Sequence, residues 1–105
     1  MNILFICSQN KRRSLTAERM FDGVNGHSVR SAGTESNARI KVTAGMIKWA
    51  DIIFCFEKKH LRRIRERFSD ELCGKDTITL NIPDEYGYMD DELQDILESC
   101  MGEYI

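Results

Sequence analysis

The chain has 105 residues, 42% of them hydrophobic, and a formal net charge of −2. That length and composition hold one domain, residues 1–105, with a modest core. They exclude a disordered chain and a general polyanion binder, and no apolar run approaches the roughly 18 residues a membrane span needs.

Residues 2–6 read as a strand. Their apolar side chains are continuous rather than alternating, which predicts a central strand covered on both faces. The next segment, Cys7-Ser8-Gln9-Asn10-Lys11-Arg12-Arg13-Ser14, has the form Cys-x5-Arg-Ser. A strand signal precedes it and a helix signal follows. Strand-loop-helix geometry points successive loop N–H groups and the positive end of the helix dipole at one spot. Arg13 adds a planar fork that matches two phosphate oxygens. A thiol in such a field is stabilised as its thiolate. The pattern therefore places a nucleophile against a bound phosphate or sulfate.

A helix is expected over 13–24, with Leu15, Ala17, Met20, Phe21 and Val24 on its apolar stripe and Asn25-Gly26 ending it. A short strand follows at 28–31, then a loop over 32–37. The pattern predicts a helix over 42–49, a buried strand over 51–56 and a helix over 58–72 capped by Gly74. Residues 77–82 alternate strictly, as in a half-exposed edge strand, and Pro83 stops them. A last helix spans 90–100, with Leu93, Ile96 and Leu97 inward. Strands alternating with helices predict an α/β fold: three layers, α/β/α, around a four-stranded parallel sheet, with the phosphate-binding loop after strand 1. Ligands in such sheets bind beyond the C-terminal strand ends, where the Cys7 loop and Asp84 both emerge.

Met1 to Ile6 is too short for a signal peptide and no small-residue cleavage site follows, so the expected location is the cytoplasm. Cys7, Cys55, Cys73 and Cys100 form no Cys-x-x-Cys pair, which argues against a zinc site or a disulfide framework. Cys55 reads as a buried small hydrophobe. His27 and His60 read as surface residues without a role.

These residues resemble the low-molecular-weight protein tyrosine phosphatases, a superfamily shared with one class of arsenate reductases. Beyond the Cys7 loop, the likeness runs through Asn10, Ala17-Glu18, Ser31-Ala32-Gly33-Thr34, Asp51-Ile52-Ile53 and Pro83-Asp84-Glu85-Tyr86, in order over most of the chain. There are departures. Leu15 stands where the family has proline. The loop has no glycine, which leaves Asn10 as its left-handed residue. Arg12 replaces the second cysteine that shields the nucleophile in many members. Asp84-Glu85-Tyr86 replaces Asp-Pro-Tyr, and the chain is shorter than a usual member.

The resemblance implies a phosphatase in which Cys7 attacks phosphorus while Arg13 and the N–H groups of Ser8, Gln9, Asn10, Lys11 and Arg12 hold the equatorial oxygens. Ser14 hydrogen-bonds the sulfur, Asp84 serves as general acid and then base, and Tyr86 flanks the entrance, with Tyr88 as a further rim candidate. Asn10 and Ser31 fix the loop. No metal or cofactor is required, because the cradle supplies positive charge. The implied partner is a phosphorylated protein or small phosphomonoester, with neither nucleic acid nor membrane expected.

Plainer readings stand beside these. Asp84 also suits a turn after Pro83, and Asp90, a second candidate acid, suits the N-cap of the last helix. The basic segment 58–67 and the acidic segment 84–98 read first as solvated faces. Two other functions remain open: a phosphate- or phosphopeptide-binding module without turnover, and arsenate reduction, for which Cys73 and Cys100 lie far apart in sequence.

Overall fold

The computed structural model describes residues 1–105. Four strands form one sheet: β1 (Asn2–Cys7), β2 (Ser28–Gly33), β3 (Ile52–Cys55) and β4 (Asp76–Thr79). All pair in parallel, in the order β2-β1-β3-β4. The helices are α1 (Arg13–Phe21), α2 (Ala44–Trp49), α3 (Lys58–Arg67), α4 (Ser69–Leu72) and α5 (Asp91–Met101). This is the expected three-layer α/β arrangement. None of these helices is long and apolar enough to cross a membrane.

The uninterrupted apolar runs of β1 and β3 have a simple cause. Successive side chains of a strand point to opposite faces, and here helices cover both. Ile3, Phe5 and Cys7 face one core, with Phe54 from β3, Ala17 and Phe21 from α1, and Leu93 and Leu97 from α5. The Phe5 ring stacks on Phe54, centroids 5.4 Å apart. Leu4 and Ile6 face the other core, with Ile53 and Cys55, Ile47 from α2 and Ile64 from α3. β4 is an edge strand, as its alternation predicts.

Four boundaries differ clearly from the sequence pattern. β2 runs on to Gly33, through two residues expected in a loop, because Ala32 and Gly33 keep pairing with Ile6 and Cys7 of β1. α1 ends at Phe21 rather than near 24, because Asp22 is extended and its carboxylate accepts the Val29 N–H. Gly23 then turns at φ 85° into a single 3-10 turn. The helix expected over 58–72 breaks at Phe68, whose backbone (φ −131°, ψ 38°) separates α3 from α4. The bend lets Phe68 and Leu72 join Leu61 against the second core. The fourth strand stops at Thr79, and Asn81 is left-handed at φ 58°. Even so, Leu80 and Ile82 still donate to Cys55 and Phe56 carbonyls, so the chain follows β3 to its end.

β1 connects to β2 on one side, and β3 lies on the other. The C-terminal end of β1 is thus where the strand order reverses, the place where such sheets open a crevice. Cys7 is the last residue of β1.

Candidate active site

The loop after β1 turns its carbonyls outward. The Cys7, Ser8 and Gln9 carbonyls accept from the backbone N–H groups of Thr34, Glu35 and Arg39. The Asn10 carbonyl accepts from Arg39 Nε at 3.1 Å, and that of Arg12 from the Thr16 N–H and hydroxyl. With the carbonyls held outside, the loop's N–H groups are left for the inside of the curve. No side chain caps α1, so its first-turn N–H groups remain available to an anion as well. Gly33 lies against this loop so closely that a Cβ there would stand 2.5 Å from the Ser8 carbonyl oxygen. That contact explains glycine at the end of β2.

Cys7 Sγ sits inside the curve. It accepts the Asn10 N–H at 3.2 Å and lies 2.9 Å from Ser14 Oγ. Asn10 takes the left-handed backbone, φ 57°, that the glycine-free loop requires. Its Nδ2 donates to Ser14 Oγ (2.7 Å) and Ser31 Oγ (2.8 Å). Ser31 in turn donates to Glu18 Oε1 at 2.7 Å. A Cys7 thiolate has no proton to give, so against it the Ser14 hydroxyl is the donor, while its oxygen accepts from Asn10. One buried amide therefore orients two hydroxyls, and Asn10 Oδ1 has no protein partner.

Arg13 is 1% exposed and enters the site from the first turn of α1. Its Nη1 donates to Glu57 Oε1 (2.5 Å) and the Ile82 carbonyl (2.8 Å), and the guanidinium lies 5.7 Å from the Phe56 ring centroid. These contacts use Nη1, so Nη2 is left for the cavity. Asp84 Oδ1 stands 3.7 Å from Arg13 Nε. Desolvation acts to raise the Glu57 carboxyl. Its hydrogen bond and charge pairing with Arg13, helped by Lys59 and His60, outweigh that and hold it below the usual range.

A cavity of about 170 Å³ is walled by Cys7, Ser8, Gln9, Asn10, Lys11, Arg12, Arg13 and Asp84. Eight of the residues singled out in the sequence thus converge on one space, and Ser14 lies behind the sulfur. Tyr86 does not. It is half-buried against the first core and absent from the cavity wall. Desolvation, then Glu92, Glu85 and Asp90, raise its phenol above the ordinary value. Tyr88 is 51% exposed, also outside the wall. Asp90 caps α5 by accepting the Glu92 and Leu93 N–H groups, which accounts for it without chemistry. Burial pushes the Cys55 thiol up to about 12 against the opposing charge of Arg65, so this cysteine is inert. No three His, Cys, Asp or Glu side chains gather as a metal site would require.

His60 corrects the sequence reading. It is fully buried rather than on the surface. Its Nδ1 accepts the Glu57 N–H at 3.0 Å, and its Nε2 lies 2.9 Å from Ser8 Oγ. Glu57 belongs to no site motif in the sequence. The signal available was Glu57-Lys58-Lys59-His60 opening a helix after a buried strand, a reciprocal cap in which the carboxylate also faces Arg13. Arg39, 29 residues from the Asn10 carbonyl it holds, carried no local signal.

The fold and site together define a parallel α/β domain with a cysteine at the centre of a polar loop at its switch point. No family model and no curated protein matches the chain. Solved structures do. A YwlE mutant from Bacillus subtilis superposes with TM-score 0.74 at 22% identity, covering 98% of this chain and 97% of its own. The tyrosine phosphatase Wzb from Escherichia coli K30, in complex with phosphate, superposes with TM-score 0.77 at 24% identity, covering 98% and 94%. The low-molecular-weight protein tyrosine phosphatase from T. tengcongensis superposes with TM-score 0.76 at 16% identity, covering 98% and 99%. The chain has the fold of the low-molecular-weight protein tyrosine phosphatases.

Proposed function

We propose that the chain is a cysteine-dependent phosphatase that hydrolyses phosphotyrosine or a related phosphomonoester through a phosphocysteine intermediate. The observation that carries this is the position of Cys7 Sγ: inside a loop whose carbonyls are tied outward, in a cavity shared with Arg13 and Asp84. The neighbours of this fold include proteins named as tyrosine and arginine phosphatases, which agrees with the reading.

Cys7 thiolate attacks phosphorus as the bond to the leaving oxygen breaks. The loop N–H groups and Arg13 Nη2 hold the three equatorial oxygens, and their charge is met by donors already in place. Asp84 gives its proton to the leaving oxygen. It then takes one from the water that attacks the phosphocysteine, the S–P bond breaks, and the thiolate returns with inorganic phosphate released. The Ser14 proton, donated to the sulfur once that is a thiolate, stabilises it both before attack and on departure. The substrate is a phosphorylated protein or small phosphomonoester, and the reaction uses no metal.

Hydrolysis of an aryl phosphate tests the proposal. Cys7→Ser abolishes turnover, and Asp84→Asn lowers it by about 10²–10⁴. Full activity in Cys7→Ser defeats the mechanism, and full activity in Asp84→Asn defeats the acid assignment. Phosphate binding in calorimetry with no hydrolysis in the wild type selects the binding module instead. Reduction of arsenate with a thiol donor selects the reductase.

A further inference from the structure

We propose that His60 is a positioning residue that holds the Ser8 hydroxyl as a donor to the anion in the cavity, making the Ser8 side chain a substrate contact. The proposal rests on the reading of this cavity as a phosphate site.

The argument is one of proton placement. His60 Nδ1 accepts the Glu57 N–H, so that nitrogen carries no proton. A neutral ring must then carry its proton on Nε2. Nε2 faces Ser8 Oγ at 2.9 Å, so the imidazole donates and the serine oxygen accepts. The serine's single proton must go elsewhere. Ser8 Oγ has no other protein partner, and Ser8 lines the cavity. The open direction is toward the bound anion.

The ring is kept neutral by its surroundings. It is fully buried, and the groups that bear on it are Arg13, Glu57, Lys59 and Arg63. Burial, then the Arg13 charge, act against protonation, with Glu57 opposing. An imidazolium would also lose its Nδ1 acceptor and face the Glu57 N–H donor to donor. The first turn of α3 thereby serves the cavity twice: the Glu57 carboxylate grips Arg13, and its backbone N–H fixes the tautomer that orients Ser8.

Two measurements test this. Nitrogen NMR of labelled histidine reports the tautomer in the wild-type protein. The expected result is a neutral Nε2–H ring at every point between about pH 5 and pH 8. A Nδ1–H tautomer, or a protonated ring at about pH 6, overturns the proposal. The second measurement is the affinity for inorganic phosphate in Ser8→Ala, His60→Gln and the double variant. Ser8→Ala is expected to weaken phosphate by about 10-fold, the effect of one hydrogen bond to a charged group. His60→Gln weakens it about 5-fold alone and less than about 2-fold in the Ser8→Ala background, because its effect passes through that hydroxyl. A residue that only props up the fold would give the same factor in both backgrounds, and that result refutes the proposal. Should His60→Gln fail to fold, the wild-type tautomer and the Ser8→Ala affinity decide. Failure of the phosphatase reading is recognised separately: aryl phosphate is not hydrolysed, while phosphate affinity still responds to Ser8.

Discussion

Replacing Asn10 separates two costs that the native residue carries together: a left-handed backbone and a buried double donor. At φ 57° a glycine fits without strain, whereas an alanine Cβ costs about 1–2 kcal/mol. Either change removes the bonds to Ser14 and Ser31, about 1 kcal/mol each, and also removes the unpartnered Oδ1, which returns about 1 kcal/mol. Asn10→Gly should therefore destabilise by about 1–2 kcal/mol and Asn10→Ala by about 2–3 kcal/mol. Asn10→Asp keeps the backbone but turns a carboxylate toward two serine oxygens whose protons are committed to Cys7 and Glu18. It should cost about 3 kcal/mol or more. Urea unfolding at neutral pH ranks the variants. The reasoning fails if Ala is no worse than Gly, or if Asp is as stable as the wild type. Aryl phosphate turnover should fall in all three, since the loop around the sulfur loses the Asn10 bonds that hold Ser14 and Ser31 in place.

Burial, then the Arg13 charge, lower His60 from 6.5 to about 4. Above pH 6.5 neither folded nor unfolded chain holds that proton. As pH falls from 6.5 toward about 4, the unfolded chain binds a proton that the folded state refuses, so folding loses up to about 3 kcal/mol. Glu57 is held below its ordinary value, so it adds a further loss at lower pH, below 4.5. Urea unfolding across this range should show the first loss in the wild type and not in His60→Gln; parallel curves would exclude it. Glu57→Gln keeps the helix and an oxygen that can accept from Arg13 Nη1 but removes the carboxylate's charge; phosphate affinity should fall by about 3- to 10-fold, with no change meaning that the ion pair does not position the fork. Gly33→Ala drives a Cβ to 2.5 Å from the Ser8 carbonyl and 2.7 Å from Ala38 Cβ. It should destabilise by about 1–3 kcal/mol and reduce turnover, as thermal unfolding and steady-state rates would show.

Much of the site was legible because its first interactions are short-range. Cys7, Asn10 and Ser14 meet within eight residues, and their hydrogen bonds follow from one strand-loop-helix turn. A loop without glycine needs a residue that tolerates positive φ, which singles out Asn10. The two buried strands were legible for a different reason: a strand covered on both faces must be apolar at every position, so β1 and β3 declare their place in the sheet. What local pattern determined, then, is a thiol at the end of a central strand with a fork six residues on, at the start of the first helix. Only the tertiary structure brought Glu57 to Arg13 across 44 residues, His60 to Ser8 across 52, and Ile82 to Arg13 across 69. The same folding bent the chain at Phe68 and laid Tyr86 half-buried against the first core, outside the cavity wall. Contacts between residues far apart leave no periodicity in the letters. They arise where parallel strands end together at one edge, and that edge exists only once the sheet has formed.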